Sequence, residues 1–174
     1  MSDNKIIEKS KKIKLFVMDV DGTLTNGKVY YSANGEELKK FSIRDGMGIE
    51  LLKLAGIDLA IITSENSNIV KARASKLNIK NLVLGTKNKR KSLTELAEKL
   101  SVNLDNIAFI GDDVNDISAL EIVGLSACPA DATEKVKEVC NYICLKEGGN
   151  GAVRDFAELI LINQNKLITL PDNW

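Results

Sequence analysis

The fold is decided by residues 13–25, which read Ile13-Lys-Leu-Phe-Val-Met-Asp19-Val-Asp21-Gly-Thr-Leu-Thr25. The apolar run before the aspartates predicts a buried β-strand, since β-branched and aromatic residues favour extended backbone. Asp19 and Asp21 stand at the end of this strand, close enough in sequence for their carboxylates to repel each other. Such a pair is tolerable when a cation lies between the groups or when they share one proton. A plain turn is the alternative interpretation, because Asp and Gly are common turn residues.

The composition limits the class of protein. The chain has 174 residues, of which 44% are hydrophobic, which suits one domain with a buried core and excludes a disordered chain. Lys plus Arg and Asp plus Glu number 24 each, so the net charge favours no nucleic-acid partner. No apolar run approaches the ~20 residues needed to span a bilayer, and the charged N-terminus does not resemble a signal peptide. We therefore expect a cytoplasmic protein without a membrane partner.

The chain contains no histidine, and its cysteines are Cys128, Cys140 and Cys144. The absence of histidine excludes Ser-His-Asp and Cys-His catalysis and histidine-ligated metals. The cysteines stand in apolar surroundings without partners for a zinc site, which predicts buried free thiols. Proton transfer in this protein must therefore use carboxylates, lysine or water.

Short apolar strands alternate along the chain with amphipathic helices. This alternation predicts an α/β fold, a doubly wound parallel sheet with helices on both faces. The predicted strands are 13–20, 57–63, 82–84, 106–110, 125–128 and 142–145. The predicted helices are 46–54, 67–77, 89–100, 116–123, 132–139 and 152–162. Ligands of such sheets bind beyond the carboxyl ends of the strands, so polar residues at those ends are candidates for a functional site.

Residues 28–42 depart from this alternation, because they read as two strands around an Asn-Gly pair, a strong hairpin signal. The hairpin follows the two aspartates, so it is expected either to stand over the site as a flap or to be a plain edge hairpin. The predicted organisation is a polar tail over 1–12, one domain over 13–162 without a large cap, and a C-terminal tail over 163–174.

Polar residues also follow the second and third predicted strands. Thr63 precedes a helix start, where a hydroxyl and free backbone N–H groups are suited to hold an anion. An ordinary helix N-cap is the alternative for Thr63. Lys89 and Lys91 lie in a basic stretch that, taken alone, is typical of a solvated helix start.

Three carboxylates follow the fourth predicted strand, those of Asp112, Asp113 and Asp116. Carboxylate oxygens are preferred ligands of hard cations, so this loop predicts a metal site, with a plain acidic loop as the alternative. In combination with the first aspartate pair, a hydroxyl and an ammonium group, the loop indicates chemistry on a phosphate.

These residues together resemble the haloacid dehalogenase superfamily of phosphotransferases. The similarity lies in Asp-x-Asp-Gly-Thr at 19–23, in Thr63, in a lysine near 89, and in Gly-Asp-Asp at 111–113 followed by Asp116. It is closer to the small branch without a cap domain that contains 3-deoxy-D-manno-octulosonate (KDO) 8-phosphate phosphatases and the 9-phosphate phosphatases of nine-carbon sugar acids. Segments 41–49 and 148–156 resemble that branch's substrate loop and C-terminal signature. The similarity covers about residues 13–162.

The resemblance implies a phosphatase that uses Mg²⁺. Asp19 is then the nucleophile, and Asp21 is the acid and base that exchanges protons with the leaving sugar and with water. Asp19, Asp112 and the backbone carbonyl of Asp21 are the implied metal ligands, with Asp113 and Asp116 as further candidates. Thr63 and Lys89 are the implied holders of the phosphoryl oxygens, with Lys91 as the alternative lysine.

The resemblance also implies a phosphorylated sugar acid as substrate and a homotetramer in which neighbouring subunits cover each site. Arg44 and Arg154 are candidates for binding the substrate carboxylate, with structural ion pairs as their alternative. KDO 8-phosphate phosphatases usually have Gly-Arg after the threonine, whereas Glu65 stands here, as it does more often in relatives that act on nine-carbon acids. Both substrates therefore stay open.

Two other functions are compatible with parts of the pattern. A receiver domain of a signalling pathway also combines acidic residues, a hydroxyl and a lysine on a parallel sheet, but it carries its phosphoacceptor aspartate on a later strand, where Thr63 stands here. A non-catalytic oligomerisation module, as in the phosphatase-like domain of some acylneuraminate cytidylyltransferases, is the second alternative.

Overall fold

The computed structural model describes residues 3–171 of the chain. Its strands are β1 (Leu15–Met18), β2 (Thr25–Ser32), β3 (Gly35–Phe41), β4 (Asp58–Ile62), β5 (Asn81–Val83), β6 (Ile107–Ile110), β7 (Leu125–Cys128) and β8 (Tyr142–Ile143). Its α-helices are α1 (Asp3–Ser10), α2 (Ile43–Leu54), α3 (Asn68–Lys76), α4 (Lys89–Leu100), α5 (Ile117–Leu120), α6 (Glu134–Val139) and α7 (Ala152–Asn163). A short 3₁₀ helix covers Leu104–Asn106.

Six strands form one parallel sheet in the order β5-β4-β1-β6-β7-β8. Strand β1 lies in the middle of the sheet, and all its residues are fully buried. Because successive side chains point to opposite faces, Phe16 and Met18 pack under α2, α3 and α7, whereas Leu15 and Val17 pack under α4, α5 and α6. The predicted doubly wound α/β fold is confirmed. The central position of β1 places its carboxyl end between those of β4 and β6.

Strands β2 and β3 pair antiparallel as a separate two-stranded hairpin, as the sequence predicted. The turn residues are Ala33 and Asn34, and Gly35 has a φ of +107° at the start of β3. A positive φ at this position favours glycine, which has no Cβ to clash with the neighbouring carbonyl group.

The N-terminal segment differs from the predicted polar tail. Residues 3–10 form α1, whose Ile6 packs against the core beside α7. The side chain of Gln164 joins the ends of the chain by donating to the backbone carbonyls of Ser10 and Ile13, both at 2.9 Å. A short helix with few apolar residues has a weak sequence signal, and tertiary packing supplies most of its stability.

At the C-terminal end, α7 stops at Asn163 and an irregular segment follows. Ile168 and Leu170 of this segment pack partly buried against the core. The tryptophan at position 174 lies outside the described residues. Among residues 3–171, no helix combines the length and the apolar character needed to cross a membrane.

Candidate active site

The candidate site lies beyond the carboxyl ends of β1, β4 and β6. Asp19 follows β1 directly, and its backbone N–H donates to the carbonyl of Ile110 at 3.0 Å, which continues the pairing of β1 with β6. The Asp19 side chain is 6% exposed. One carboxylate oxygen from each of Asp19, Asp112 and Asp116 lies within 4.8 Å of the others. Three of the predicted acidic residues therefore meet at one point.

Hydrogen bonds hold the loop after β6 in this position. The Oδ2 atom of Asp116 accepts from the backbone N–H groups of Asp112 at 3.1 Å and Asp113 at 3.3 Å. The hydroxyl of Thr23 donates to Oδ1 of Asp112 at 2.9 Å. The loop after β1 and the loop after β6 are thus tied together through Asp112.

Two glycines make room for these carboxylates. Gly22 has a φ of +94°, and a Cβ built on it would lie 2.0 Å from Oδ2 of Asp112. A Cβ on Gly111 would lie 2.5 Å from Cγ of Asp116. Real Cβ atoms do not approach other atoms so closely, so any side chain at either position would displace a carboxylate of the cluster.

Lys89, the first residue of α4, supplies the positive charge of the cluster. Its Nζ lies 2.6 Å from Oδ1 of Asp19 and 2.5 Å from Oδ1 of Asp116, and its side chain is 1% exposed. Lys91 is exposed and lies 3.8 Å from Glu95. Of the two lysines that the sequence offered, the structure brings Lys89 to the acidic cluster and leaves Lys91 in solvent.

The cluster carries more negative than positive charge. Burial, reinforced by the charge of Asp116, raises the pKa of Asp19 well above its ordinary value and that of Asp112 to about 7. Burial alone would lower the pKa of Lys89, but the charges of Asp19 and Asp116 outweigh it and raise that pKa. A buried surplus of carboxylate oxygens is the donor set that a hard divalent cation takes, so the residues present fit Mg²⁺.

Asp113 does not join the cluster, although the sequence offered it as a further metal ligand. Its side chain is exposed and accepts from the backbone N–H of Val114 at 2.7 Å. The loop turns at this point, so adjacent aspartates point in different directions.

Thr63 follows β4 and is buried. Its hydroxyl oxygen accepts from the backbone N–H of Glu65 at 3.3 Å, which leaves the hydroxyl proton free to be donated. Helix α3 begins only at Asn68 with Ser67 as its N-cap, so Thr63 is not the helix N-cap that the sequence left as an alternative. The Glu65 side chain is exposed.

Asp21 is held by the hairpin, through a contact that the sequence did not predict. Lys39 of β3 donates to Oδ1 of Asp21 at 2.5 Å and lies 2.7 Å from Glu36. Glu36 in turn accepts a hydrogen bond from the hydroxyl of Ser67. The hairpin therefore spans from Asp21 to the start of α3, as the flap interpretation requires. The one sequence feature that could have indicated this contact is a lysine, Lys39, in the predicted strand that follows the two aspartates.

Arg44 and Arg154 line one cavity of about 210 Å³, together with Lys146. Arg44 is exposed and makes no ion pair within residues 3–171, whereas Nε of Arg154 lies 2.5 Å from Glu158. The structural ion pair considered for these arginines thus exists for Arg154 only. Asp45 is a buried carboxylate that we did not predict as part of the site. It joins α2, which carries Arg44, to α7, because it accepts a hydrogen bond from the backbone N–H of Arg154 at 2.9 Å.

The glycine-rich segment before α7 packs against the loop after β1. The backbone N–H of Gly149 donates to the carbonyl of Thr23 at 2.9 Å, and a Cβ on Gly148 would lie 1.8 Å from the carbonyl oxygen of Gly22. The C-terminal signature therefore contacts the aspartate motif.

Cys128 and Cys144 are buried free thiols as predicted, and Cys140 is free and partly buried.

Comparison with known proteins agrees with this arrangement. Residues 58–156 match the family described as haloacid dehalogenase-like hydrolase. The chain is 41% identical over 162 residues to the 3-deoxy-D-manno-octulosonate 8-phosphate phosphatase KdsC of Escherichia coli K12, covering 93% of this chain and 86% of that protein.

Two solved structures of phosphatases with the same name superpose closely on the chain. The Yersinia pestis protein has a TM-score of 0.92 at 38% identity, with 94% of this chain and 89% of that chain covered. The Moraxella catarrhalis protein, solved with magnesium ion, phosphate ion and KDO, has a TM-score of 0.91 at 43% identity, with 94% of each chain covered.

Proposed function

The chain belongs to the haloacid dehalogenase-like hydrolase family, and from that premise we propose that it is a Mg²⁺-dependent phosphatase of 3-deoxy-2-ulosonic sugar acids. KDO 8-phosphate is the first candidate substrate, since the chain aligns over 93% of its length with a KDO 8-phosphate phosphatase. The observation that carries the proposal is the buried cluster of Asp19, Asp112, Asp116 and Lys89 at the end of the central strand.

The proposed metal ligands are the side chains of Asp19 and Asp112 and the backbone carbonyl of Asp21, with Asp116 as a further candidate. When bound, Mg²⁺ supplies the positive charge that offsets the surplus of carboxylates and neutralises phosphoryl oxygens. Asp113 is left out of this set because its side chain points into solvent.

In the first step, a carboxylate oxygen of Asp19 attacks phosphorus and the bond from phosphorus to the sugar oxygen breaks, which leaves an aspartyl-phosphate. Asp21 gives its proton to the departing sugar oxygen. Lys89 uses two of its three N–H donors on Asp19 and Asp116, so the third remains for a phosphoryl oxygen. The hydroxyl of Thr63 is the second proposed donor to the phosphoryl group.

In the second step, water attacks the phosphorus of the aspartyl-phosphate and gives a proton to Asp21. The bond from phosphorus to Asp19 breaks, inorganic phosphate leaves, and both aspartates return to their starting states. One carboxyl group thus serves as acid and then as base, in a chain that has no histidine for either role.

A nine-carbon sugar acid 9-phosphate is the second candidate substrate, and Glu65 is the residue that favours it. Glu65 stands where the eight-carbon enzymes usually carry arginine, and its exposed carboxylate is suited to accept hydrogen bonds from hydroxyls of a longer polyol chain. An arginine at this position would instead favour a further anionic group.

The proposal is tested by steady-state release of inorganic phosphate from KDO 8-phosphate and from an acylneuraminate 9-phosphate, each with Mg²⁺ and with a chelator. We expect turnover of at least one sugar-acid phosphate, lost on chelation. The ratio of the two kcat/KM values decides between the substrates. Absence of phosphate release from both would contradict the phosphatase and leave the non-catalytic module as the function.

We also propose that the protein assembles as a homotetramer whose subunits cover each other's sites. Tyr30, Tyr31 and Leu38 on the hairpin are 59%, 73% and 63% exposed, and Tyr30 pairs with Leu38 across the two strands, so exposed apolar side chains are neighbours here. Covering them with a neighbouring subunit would also shield the site from water. Sedimentation of the active protein measures the assembly state, and a fully active monomer would contradict this assignment.

A further inference from the structure

Lys39 is the second lysine at the site whose side chain is shielded from solvent, and it contacts Asp21, whereas Lys89 contacts Asp19 and Asp116. Its side chain is 1% exposed, and its Nζ lies 2.5 Å from Oδ1 of Asp21. Holding a lysine ammonium in a buried place costs free energy unless carboxylates surround it, and Asp21 and Glu36 do so here. Lys39 is therefore held by its contacts with Oδ1 of Asp21 and with Glu36 rather than solvated at the surface, and the hydrogen bond to Oδ1 is compatible with a proton on Oδ2.

The contact fixes which oxygen of Asp21 is available for chemistry. Lys39 takes Oδ1, and Oδ2 accepts no hydrogen bond from any residue between 3 and 171. The Asp21 side chain is 26% exposed, so without Lys39 its carboxyl group would rotate between several orientations. Anchoring of Oδ1 therefore leaves Oδ2 as the oxygen without a partner among these residues, on a side chain that solvent still reaches.

Lys39 is itself held in place by a contact that leads to the start of α3. Glu36 pairs with Lys39 at 2.7 Å and accepts a hydrogen bond from the hydroxyl of Ser67, the residue before α3. The chain of contacts runs from Asp21 through β3 to α3, so it connects the loop after β1 with the loop after β4. A displacement of the hairpin would therefore move the carboxyl group of Asp21.

We propose that Lys39 is a positioning residue for proton transfer by Asp21, holding Oδ1 so that Oδ2 faces the leaving oxygen of the substrate. This inference rests on the proposed phosphatase function. Lys39 does not touch the substrate in this proposal. It affects the reaction only by orienting the carboxyl group of Asp21, and the hairpin contributes by fixing the position of Lys39.

The chemistry of the leaving group separates this role from a merely structural one. A sugar alkoxide is a poor leaving group, so transfer of the phosphoryl group to Asp19 needs the proton from Asp21. p-Nitrophenolate is a good leaving group and departs without that proton. The value of kcat/KM covers the steps up to departure of the leaving group, so it reports this proton transfer and not the later attack of water.

The experiment measures kcat/KM of Lys39→Met for p-nitrophenyl phosphate and for the sugar-acid phosphate, KDO 8-phosphate or an acylneuraminate 9-phosphate, that the wild-type protein hydrolyses better, with the same enzyme preparation. We expect a loss of about 10- to 100-fold for the sugar phosphate, smaller than the roughly 10²- to 10⁴-fold that general acid catalysis contributes because Asp21 itself is still present, and a loss of less than about threefold for the aryl phosphate. The ratio of the two values is independent of the fraction of folded enzyme, so partial unfolding of the variant does not obscure the result.

Three further variants complete the test. Lys40→Met is the matched control, because Lys40 is the next residue of β3 and is exposed, and it should leave both values unchanged. Lys39→Arg keeps a cation and should recover most of the activity on the sugar phosphate. Addition of Lys39→Met to Asp21→Asn should cost little more than Asp21→Asn alone, since residues that act as one unit are not additive.

An equal loss of kcat/KM for both substrates, or no loss for either, would overturn the role of Lys39. A full further loss in the double variant would do the same, because it would show that Lys39 acts independently of Asp21. Failure of the wild-type protein to hydrolyse KDO 8-phosphate, an acylneuraminate 9-phosphate and p-nitrophenyl phosphate alike would instead overturn the proposed phosphatase function, so the two failures are distinct.

Discussion

Gly22 lies against the carboxylate of Asp112, so closely that a Cβ on Gly22 would be 2.0 Å from Oδ2. The two residues come from different loops, after β1 and after β6, and they meet because these strands are neighbours in the sheet. The glycine of the aspartate motif therefore has two functions, which are to adopt a positive φ and to leave space for a proposed metal ligand.

Gly22→Ala is expected to displace the Asp112 carboxylate and to weaken Mg²⁺ binding about tenfold or more, in the range found when groups that support metal ligands are removed. Gly35→Ala is the matched control, because Gly35 also has a positive φ, +107°, but has no atom within 4 Å of its built Cβ. The control should lose about 1 kcal/mol of stability and retain Mg²⁺ affinity. Titration calorimetry with Mg²⁺ measures the affinity, and thermal unfolding measures the stability. Equal Mg²⁺ affinities of Gly22→Ala and the wild-type protein would contradict the clash.

Asp19→Asn is expected to reduce turnover by at least about 10³-fold, because the amide cannot form the aspartyl-phosphate. The fold should persist, since burial raises the pKa of Asp19 and a neutral side chain removes that electrostatic cost. Phosphate release and thermal unfolding of the metal-free protein are the measurements. Residual hydrolysis at the wild-type rate would exclude Asp19 as the nucleophile.

Lys89 and Lys91 should respond differently to the same substitution. Lys89→Met leaves Asp19 and Asp116 buried without their cation, which is expected to abolish activity and to cost about 3–5 kcal/mol of stability without metal. Lys91→Met removes only an exposed contact with Glu95 and should cost less than about 0.5 kcal/mol. Denaturant unfolding and phosphate release test both variants. Loss of activity in Lys91→Met, with activity retained in Lys89→Met, would show that Lys91 and not Lys89 is the lysine of the site.

Mg²⁺ affinity is expected to rise with pH. The pKa of Asp112 is raised to about 7, first by burial and then by Asp116, so below that pH the cation must displace a proton. The affinity should increase by up to about tenfold per pH unit below about pH 7 and level off above it. Calorimetry at several pH values, in buffers of different ionisation enthalpy, measures both the affinity and the proton released. A pH-independent affinity would contradict the raised pKa.

The stability of the metal-free protein should change in the opposite direction. A carboxyl group whose pKa is higher in the folded state binds more protons there than in the unfolded state, so the free energy of unfolding falls as pH rises from about 4 towards 7. Saturating Mg²⁺ should remove this fall, because it stabilises the ionised carboxylates. Denaturant unfolding with and without Mg²⁺ across this range is the measurement.

Arg44→Ala is expected to raise KM for a sugar-acid phosphate about 10- to 100-fold while leaving KM for p-nitrophenyl phosphate unchanged, because only the sugar acid carries a carboxylate. Arg154→Ala should also disturb Glu158, with which Arg154 is paired, so its effect includes some loss of stability. Steady-state kinetics with both substrates separate these effects. Equal changes in KM for both substrates would show that Arg44 does not recognise the carboxylate.

The sequence by itself determined the architecture and the residue types of the site. Apolar strands between amphipathic helices predicted the doubly wound sheet, and helix α4 begins and ends at Lys89 and Leu100 as predicted, because its amphipathic pattern and its start signals are local. The Asn-Gly pair likewise predicted the hairpin. These features depend on residues near one another in the chain, where propensity and periodicity are informative.

Only the tertiary structure decided which charged groups meet. Lys89 reaches Asp19 across 70 positions of sequence, and Lys39 reaches Asp21 across 18, on a strand outside the main sheet. The order β4-β1-β6 brings the loops together, and close packing then selects Asp116 rather than Asp113 and Lys89 rather than Lys91. Local patterns carry no information on such contacts, because the partners come together only when the sheet is assembled and burial forces each charge to find its counterpart.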